Sequence, residues 1–408
     1  MKLPSQWAVP WSGRGERYTA EEVATVVEAM RESDPQTQGR YQDEFERHFG
    51  KVMGADHSFA MSSGTAALEI SALLCRLKPG DEVVLPAHTF AATAIPFART
   101  GAKLVWADIH PDTRLVTAET LAAKITPKTK VLIVVHLYGL VADMDPILAL
   151  ARRKNLFVVE DAAQSIGARY KQRRSGTLGD FGCFSFHTHK NISTLGEGGM
   201  LTVKDPKLAA LVPGLRHNGL RAYAEPREKY WVPAMGDVDF DLDGVWPYNF
   251  CIGEIQCALG AKLLERVDRI NAQRRARARK VMDALKEFPE LVFQSQPESC
   301  EHAHHLLAAR YDGARFGAHR DDFIARMVLK HRVKPAVQYY PLYRYPLFKR
   351  AGFGAADCPN TDVFFDNMVS FPFQNWMTDA QADKMIAAAR ETCAHLRSKA
   401  PAAAGAAR

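Results

Sequence analysis

Two side chains in this sequence could serve one chemistry. Asp161 ends the apolar run Val158–Val159–Glu160–Asp161, and Lys190 follows twenty-nine residues later, between the apolar segment Phe181–Phe186 and the glycine-rich Gly196–Glu197–Gly198–Gly199. An acid at the end of a buried strand stands where an α/β sheet presents side chains to a ligand. A lysine on a tight turn, desolvated beside other cationic groups, has the lowered pKa that Schiff-base chemistry needs. Pyridoxal phosphate (PLP) asks for both groups: a carboxylate in a low-dielectric site to keep its ring nitrogen protonated, and a neutral amine for its aldehyde. Taken singly, Asp161 reads as a helix cap and Lys190 as a surface lysine, and both are common. What surrounds them decides between the readings.

Short apolar runs at Phe59–Met61, Glu82–Leu85, Leu104–Asp108 and Val131–His136 alternate with helical stretches. That rhythm predicts a mainly parallel, helix-covered sheet. A nicotinamide-binding domain has the same rhythm, but no G-x-G-x-x-G follows an early strand, so that fold is set aside. After the first run, the small-residue turn Ser62–Ser63–Gly64–Thr65 opens a helix; free N–H groups at such a turn suit a phosphate, and an ordinary helix cap has the same pattern. Ahead of it, Thr19–Ser33 reads as an amphipathic helix with Val23, Val26, Val27 and Met30 on one face, and a second helix passes through Phe45, Phe49 and Val52. A long connection runs from Arg216 through Tyr230–Trp231 and Asp237–Asp243 to Tyr248–Asn249, and connections of this length are usually functional or mobile. Helix Gly253–Asn271 then leads to a smaller C-terminal domain. His302, His304 and His305 lack a spaced carboxylate or cysteine partner, so they read as solvated or packing residues rather than metal ligands.

Composition narrows the class. The chain has 408 residues and a formal charge of 53 − 46 = +7, which suits acidic small molecules and is weak support for nucleic acid. The basic run Arg274–Lys280 lies in a helical pattern and should be mostly a solvated face. Seven cysteines, scattered singly, fit neither a disulfide framework nor a metal site and point to a reducing cytoplasm. No apolar run is long enough to span a bilayer, and the N-terminus has no signal-peptide pattern.

The string Glu160–Asp161–Ala162–Ala163–Gln164, then Gly179–Asp180, Phe184–Ser185–Phe186, Lys190–Asn191 and Gly196–Glu197–Gly198–Gly199 closely resembles the DegT/DnrJ/StrS-type family of PLP-dependent sugar aminotransferases. The resemblance implies an α/β chain of PLP-dependent transferase fold type I, aspartate-aminotransferase-like. It implies an N-terminal segment and large PLP-binding domain over residues 1–269 and a smaller α+β domain over 270–395, while Ala-rich composition without apolar periodicity predicts a disordered tail over 396–408. It implies that Lys190 is the catalytic lysine and Asp161 the partner of the ring nitrogen. Phe90 would stack on the cofactor, and Gln164 would pack opposite Phe90 or near the phenolic oxygen. The phosphate would lie at Gly64, Thr65 and Ser185, with Asn249 reaching over from a second subunit, so that a homodimer shares its sites.

The implied reaction moves an amino group from a donor, usually glutamate, to a keto sugar. A nucleotide-linked sugar is the commonest acceptor in the family, and a keto-inositol or a free or acidic keto sugar stays open. The resemblance makes Val337–Tyr343 the family's substrate-side strand. Pro247, Phe250, Cys251 and Tyr343 depart from the family's usual residues, which touches the substrate contacts rather than the cofactor. One branch of the family has histidine in place of the lysine and removes a hydroxyl group, so Lys190 points to transamination. The rival reading is a non-catalytic PLP-binding relative; loss of the lysine or the acid would favour it, and both are present.

Overall fold

A computed structural model describes residues 3–15, 17–220 and 245–399. Strands β1 (Ser58–Met61), β2 (Glu82–Pro86), β3 (Lys103–Ala107), β4 (Thr129–Val135) and β5 (Phe157–Asp161) join β8 (Phe181–Ser185) and β9 (Gly199–Val203) in one central sheet. Their order is β1-β9-β8-β5-β4-β2-β3. Every pairing is parallel except those that β9 makes with β1 and β8. The mainly parallel sheet expected from the alternation is therefore present. Strand β4 runs as unbroken Val, Ile and Leu because both faces of the sheet are covered there: Val131 through Val135 are all buried.

Two small sheets complete the chain. β6 (Arg169–Tyr170) and β7 (Arg173–Arg174) pair with β11 (Cys300–Glu301), and β10 (Leu291–Phe293), β12 (Leu307–Tyr311) and β13 (Met368–Phe371) form the other. A second apolar core gathers Ala278, Leu285, Leu307, Phe323, Phe371 and Met385, and it takes in Val9 from the far end of the chain. The N-terminal segment is thus pinned across the molecule, with Val9 bridging Val333.

Several elements differ from the sequence reading. The helix expected over Gly253–Asn271 is two, Glu254–Leu264 and Val267–Leu285. They break where the Arg266 guanidinium is drawn to Glu22 and to the Arg17 carbonyl. That buried pair also explains the first helix, Ala20–Glu32. It buries Glu22 and Ala29, whereas Val23, Val27 and Met30 are exposed. Val337–Tyr343 is not a strand: Ala336 makes one bridge to Ser370, and the chain then runs irregularly into a turn at Leu342–Arg344. Pro341 supplies no N–H for a ladder there. The last helix, Asp379–Ser398, buries Leu396, so helical chain continues past the expected boundary at 396. The connection through Tyr230–Trp231 and Asp237–Asp243, and the tail beyond Lys399, lie outside the described residues.

The basic run and the histidine cluster meet. Arg274 is buried rather than solvated, donating to the carbonyls of His304 and His305 at 2.7 and 2.8 Å with its guanidinium over the Phe373 ring. His302, His304 and His305 are all buried, with the first two rings stacked 3.8 Å apart. They are packing residues, and burial drives the pKa of each well down.

Candidate active site

Parallel strands deliver the chemistry to one edge of the sheet. β2 runs out into Thr89 and Phe90, β4 into His136 and Tyr138, β5 ends at Asp161 and β8 at Ser185, and ligands of such sheets bind beyond the carboxyl ends. A cavity of about 550 Å³ lies there, a size usual for a small-molecule site. Gly64, Thr65, Phe90, Asp161, Gln164, Ser185 and Lys190 all line it. Asn249, the remaining residue expected from sequence, does not. It is exposed, bridges His217 and accepts from the Cys251 N–H at 3.3 Å.

Asp161 is held by two donors. Its Oδ2 accepts the Thr93 hydroxyl at 2.7 Å, and its Oδ1 accepts the Ala163 N–H at 3.1 Å. Glu160, one residue earlier, faces the other way and is wholly buried. It accepts from Gly176, Leu178 and Gly179 N–H at 2.6 to 2.8 Å, and from His136 Nε2 at 2.7 Å. His136 Nδ1 accepts from Ala142 N–H, so its proton is on Nε2. This acid is structural, folding the 176–179 loop beneath β5.

Lys190 is half-buried on the turn after β8, its N–H donating to the His187 carbonyl at 2.8 Å. Desolvation pulls its amine down to about 8, with the charge of Asp161 acting in the opposite direction. The N-terminal segment straps this turn: Gly15 N–H donates to the Thr188 carbonyl at 2.8 Å. A Cβ on Gly15 would stand 2.0 Å from the Lys190 carbonyl oxygen, so only glycine permits the approach.

The helix Gly64–Leu74 begins at Ser63, whose Oγ accepts from Ala66 N–H at 3.0 Å. Ala67 N–H closes on the Ser63 carbonyl, so the Gly64 and Thr65 N–H groups precede the first helical bond, at the positive end of the dipole. A Cβ on Gly64 would come within 2.8 Å of Ser185 Cβ. Glycine thus lets this helix end meet β8.

The opposite wall comes from the later part of the chain. Tyr138 donates its hydroxyl to the Gln338 carbonyl at 2.6 Å and accepts from His88 Nε2 at 2.9 Å. Burial lowers the His88 pKa to about 3, so the ring is neutral. Gln338 and Tyr339 line the cavity, and Tyr339 meets the exposed Phe90 ring edge to face at 5.8 Å. Gln164 fixes its own Oε1 on Tyr138 N–H at 2.8 Å. Sequence reasoning missed Thr89, the strap at Trp11–Gly15, and His187 and His189, which line the cavity, and Thr93, which reaches it only through its bond to Asp161. The glycine at position 15 was the one visible signal of the strap.

A strand-end acid and a lysine of lowered pKa on the turn after the neighbouring strand, at the edge of a seven-stranded sheet with one antiparallel member, define a PLP-dependent transferase of fold type I. The comparisons with known proteins agree. Residues 17–390 match the model of the DegT/DnrJ/EryC1/StrS aminotransferase family, and the chain belongs to that family. It is 34% identical over 372 residues to the spore coat polysaccharide biosynthesis protein SpsC of Bacillus subtilis, covering 91% of this chain and 94% of that one. It is 42% identical over 243 residues to the GDP-perosamine synthase of Caulobacter vibrioides, covering 60% and 61%. The putative sugar aminotransferase Spr1654 of Streptococcus pneumoniae, in its PMP-form, superposes with a TM-score of 0.85 at 27% identity, covering 95% and 100%. The protein is therefore an aminotransferase.

The cavity fits the cofactor that the family implies. It has a free amine near neutrality, a buried carboxylate with lone pairs toward the cavity, and a helix end whose close packing only glycine permits. No helix among the described residues is long and apolar enough to cross a membrane.

Proposed function

We propose that this chain binds PLP through Lys190 and transfers an amino group from glutamate to a nucleotide-linked keto sugar. One observation carries the reading: Lys190, with its amine lowered to about 8, and Asp161 line a single cavity. Bound PLP supplies an electron sink for the carbon that carries the amino group. The protein does the rest. Asp161 holds the proton on the ring nitrogen. Gly64 and Thr65 N–H groups and the Ser185 hydroxyl hold the phosphate, Phe90 covers one face of the ring, and Gln164 lies on the other face or by the phenolic oxygen. Lys190 Nζ, with a pKa close to working pH, takes a proton from the substrate carbon and returns one on the reverse passage.

The strap at Trp11–Gly15 and the Gln338–Tyr339 wall close the cavity around the sugar and limit water. A relative named for a GDP-sugar and a net charge of +7 both support an acceptor carrying a diphosphate. Asn249 is exposed and outside its own cavity, which suits a phosphate contact in a second copy's site and hence a homodimer. The reading also divides the chain near residue 270 and places it in a reducing cytoplasm, where its seven free thiols stay reduced.

Purified protein with PLP and glutamate, offered nucleotide-linked keto sugars, free keto sugars and a keto-inositol in parallel, tests the proposal. Amino-sugar formation with the nucleotide-linked acceptors alone supports it. Consumption of glutamate with transfer only to a free sugar or an inositol overturns the acceptor assignment.

A further inference from the structure

We propose that Thr89 and Thr93 form a hydroxyl relay that fixes the Asp161 carboxylate for the cofactor's ring nitrogen, which makes Thr93 a positioning residue of the reaction. The inference rests on the reading of this cavity as a PLP site. Thr93 Oγ1 lies 2.7 Å from Asp161 Oδ2 and 2.9 Å from Thr89 Oγ1. Both threonines are buried, and Thr89 also lines the cavity.

Proton counting sets the direction of both bonds. An ionised carboxylate only accepts, so the single Thr93 proton goes to Asp161, and Thr93 must accept from Thr89. The chain of donors therefore runs from the cavity wall inward to the acid. A relay in this sense strengthens its last bond, because each hydroxyl polarises the next.

The relay answers a geometric need. The terminal torsion of an aspartate is broad and roughly two-fold, so strand position alone leaves the carboxylate plane loosely set. Here two donors from different elements set it: Thr93 from the turn after β2, and Ala163 N–H from the turn after β5. They take one lone pair on each oxygen, and the lone pairs left over serve the cavity. A threonine hydroxyl in a helical turn often bonds a carbonyl of its own turn. The Thr93 hydroxyl instead crosses to an acid 68 positions away.

The test uses Thr93→Val, which keeps the shape and removes the hydroxyl, Thr93→Ser, which restores it, and Thr89→Val. Cofactor affinity is read by titrating the cofactor-free proteins with PLP, ring-nitrogen protonation by NMR of bound ¹⁵N-labelled PLP, and folding by thermal unfolding before PLP is added. Thr93→Val is expected to bind PLP about tenfold or more weakly and to move the ring signal toward neutral pyridine. Thr93→Ser should stay near wild type, and Thr89→Val should move both readouts the same way by less. A folded Thr93→Val protein with affinity within about twofold of wild type and an unmoved ring signal overturns the inference. If Thr93→Val does not fold, Thr89→Val decides, and unchanged readouts there overturn the relay. A wild-type protein that fails to bind PLP overturns the reading of the cavity and the inference with it. Wild-type binding matched by Thr93→Val overturns the inference alone.

Discussion

Glu160 and Asp161 are neighbours in the chain and turn to opposite sides of β5, the first into four hydrogen bonds beneath the sheet edge and the second into the cavity. Strand geometry makes this inevitable, since successive side chains point to opposite faces. One acid builds the floor on which the other works.

Glu160→Gln keeps the size of the side chain but sets an amide group against four donors. Leaving buried donors unmatched costs about 1–3 kcal/mol each at the extreme, and some will re-pair with the amide oxygen. The expected net loss is roughly 2–4 kcal/mol, read as a fall in the urea midpoint of the cofactor-free protein. A change below about 0.5 kcal/mol, the scale of a surface substitution, would contradict the role given to Glu160.

Lys190 is held in the fold at a cost to stability. Its folded pKa of about 8 lies below its ordinary value of 10.5, so between those two values the unfolded chain binds more protons, and stability rises with pH. At pH 7 the charged amine is destabilising. Lys190→Met should therefore make the cofactor-free protein more stable at pH 7, by roughly 2 kcal/mol after allowing for partial exposure. The advantage should shrink as pH climbs from about 8 to 10.5. Chemical denaturation at pH 7 and pH 10 reads both halves of this expectation.

Four buried histidines predict acid sensitivity. Burial lowers the pKa of His88 and His304 to about 3, and of His302 and His305 in the same direction. As pH falls through the ordinary value of 6.5, the unfolded chain takes up protons that the folded chain refuses. Stability should drop by up to about 1.4 kcal/mol per pH unit for each histidine. Denaturation midpoints between pH 7 and pH 5 measure the slope, and His88→Gln should flatten it by about one histidine's share.

Gly15→Ala probes the strap. The added Cβ would collide with the Lys190 carbonyl at 2.0 Å, so the N-terminal segment must lift from the lysine turn. The expected result is a kcat/KM at least about tenfold lower, because small misplacements of positioning elements are costly. Thermal stability of the cofactor-free protein should change little.

Much of the fold was legible in sequence, and so was the gathering of most of the expected site residues around one cavity. Unbroken apolar runs such as Val131–Val135 announce strands buried on both faces, and the type and position of Asp161 and Lys190 mark them as partners across one cavity. What escaped depends on distant partners. Nothing local marks Thr93 as the donor to Asp161, or Arg274, within a basic run, as the ligand of two carbonyls. The apolar stripe of the first helix misled for the same reason, because the contact that sets the helix is the Glu22–Arg266 pair, 244 positions apart. Val337–Tyr343 has a strand's composition, but Pro341 and the contact of Leu342 N–H with the Ala87 carbonyl draw it out of the sheet.

The central claim is that Lys190 holds PLP covalently and gives it up to an amino donor. The most direct measurement is the visible absorption of the purified protein with PLP, before and after glutamate, followed by borohydride reduction and peptide mass spectrometry. The expected result is a yellow protein that bleaches on adding glutamate, with the reduced adduct on Lys190 and no yellow colour in Lys190→Ala. A protein that PLP cannot colour, or an adduct on a different lysine, would contradict it.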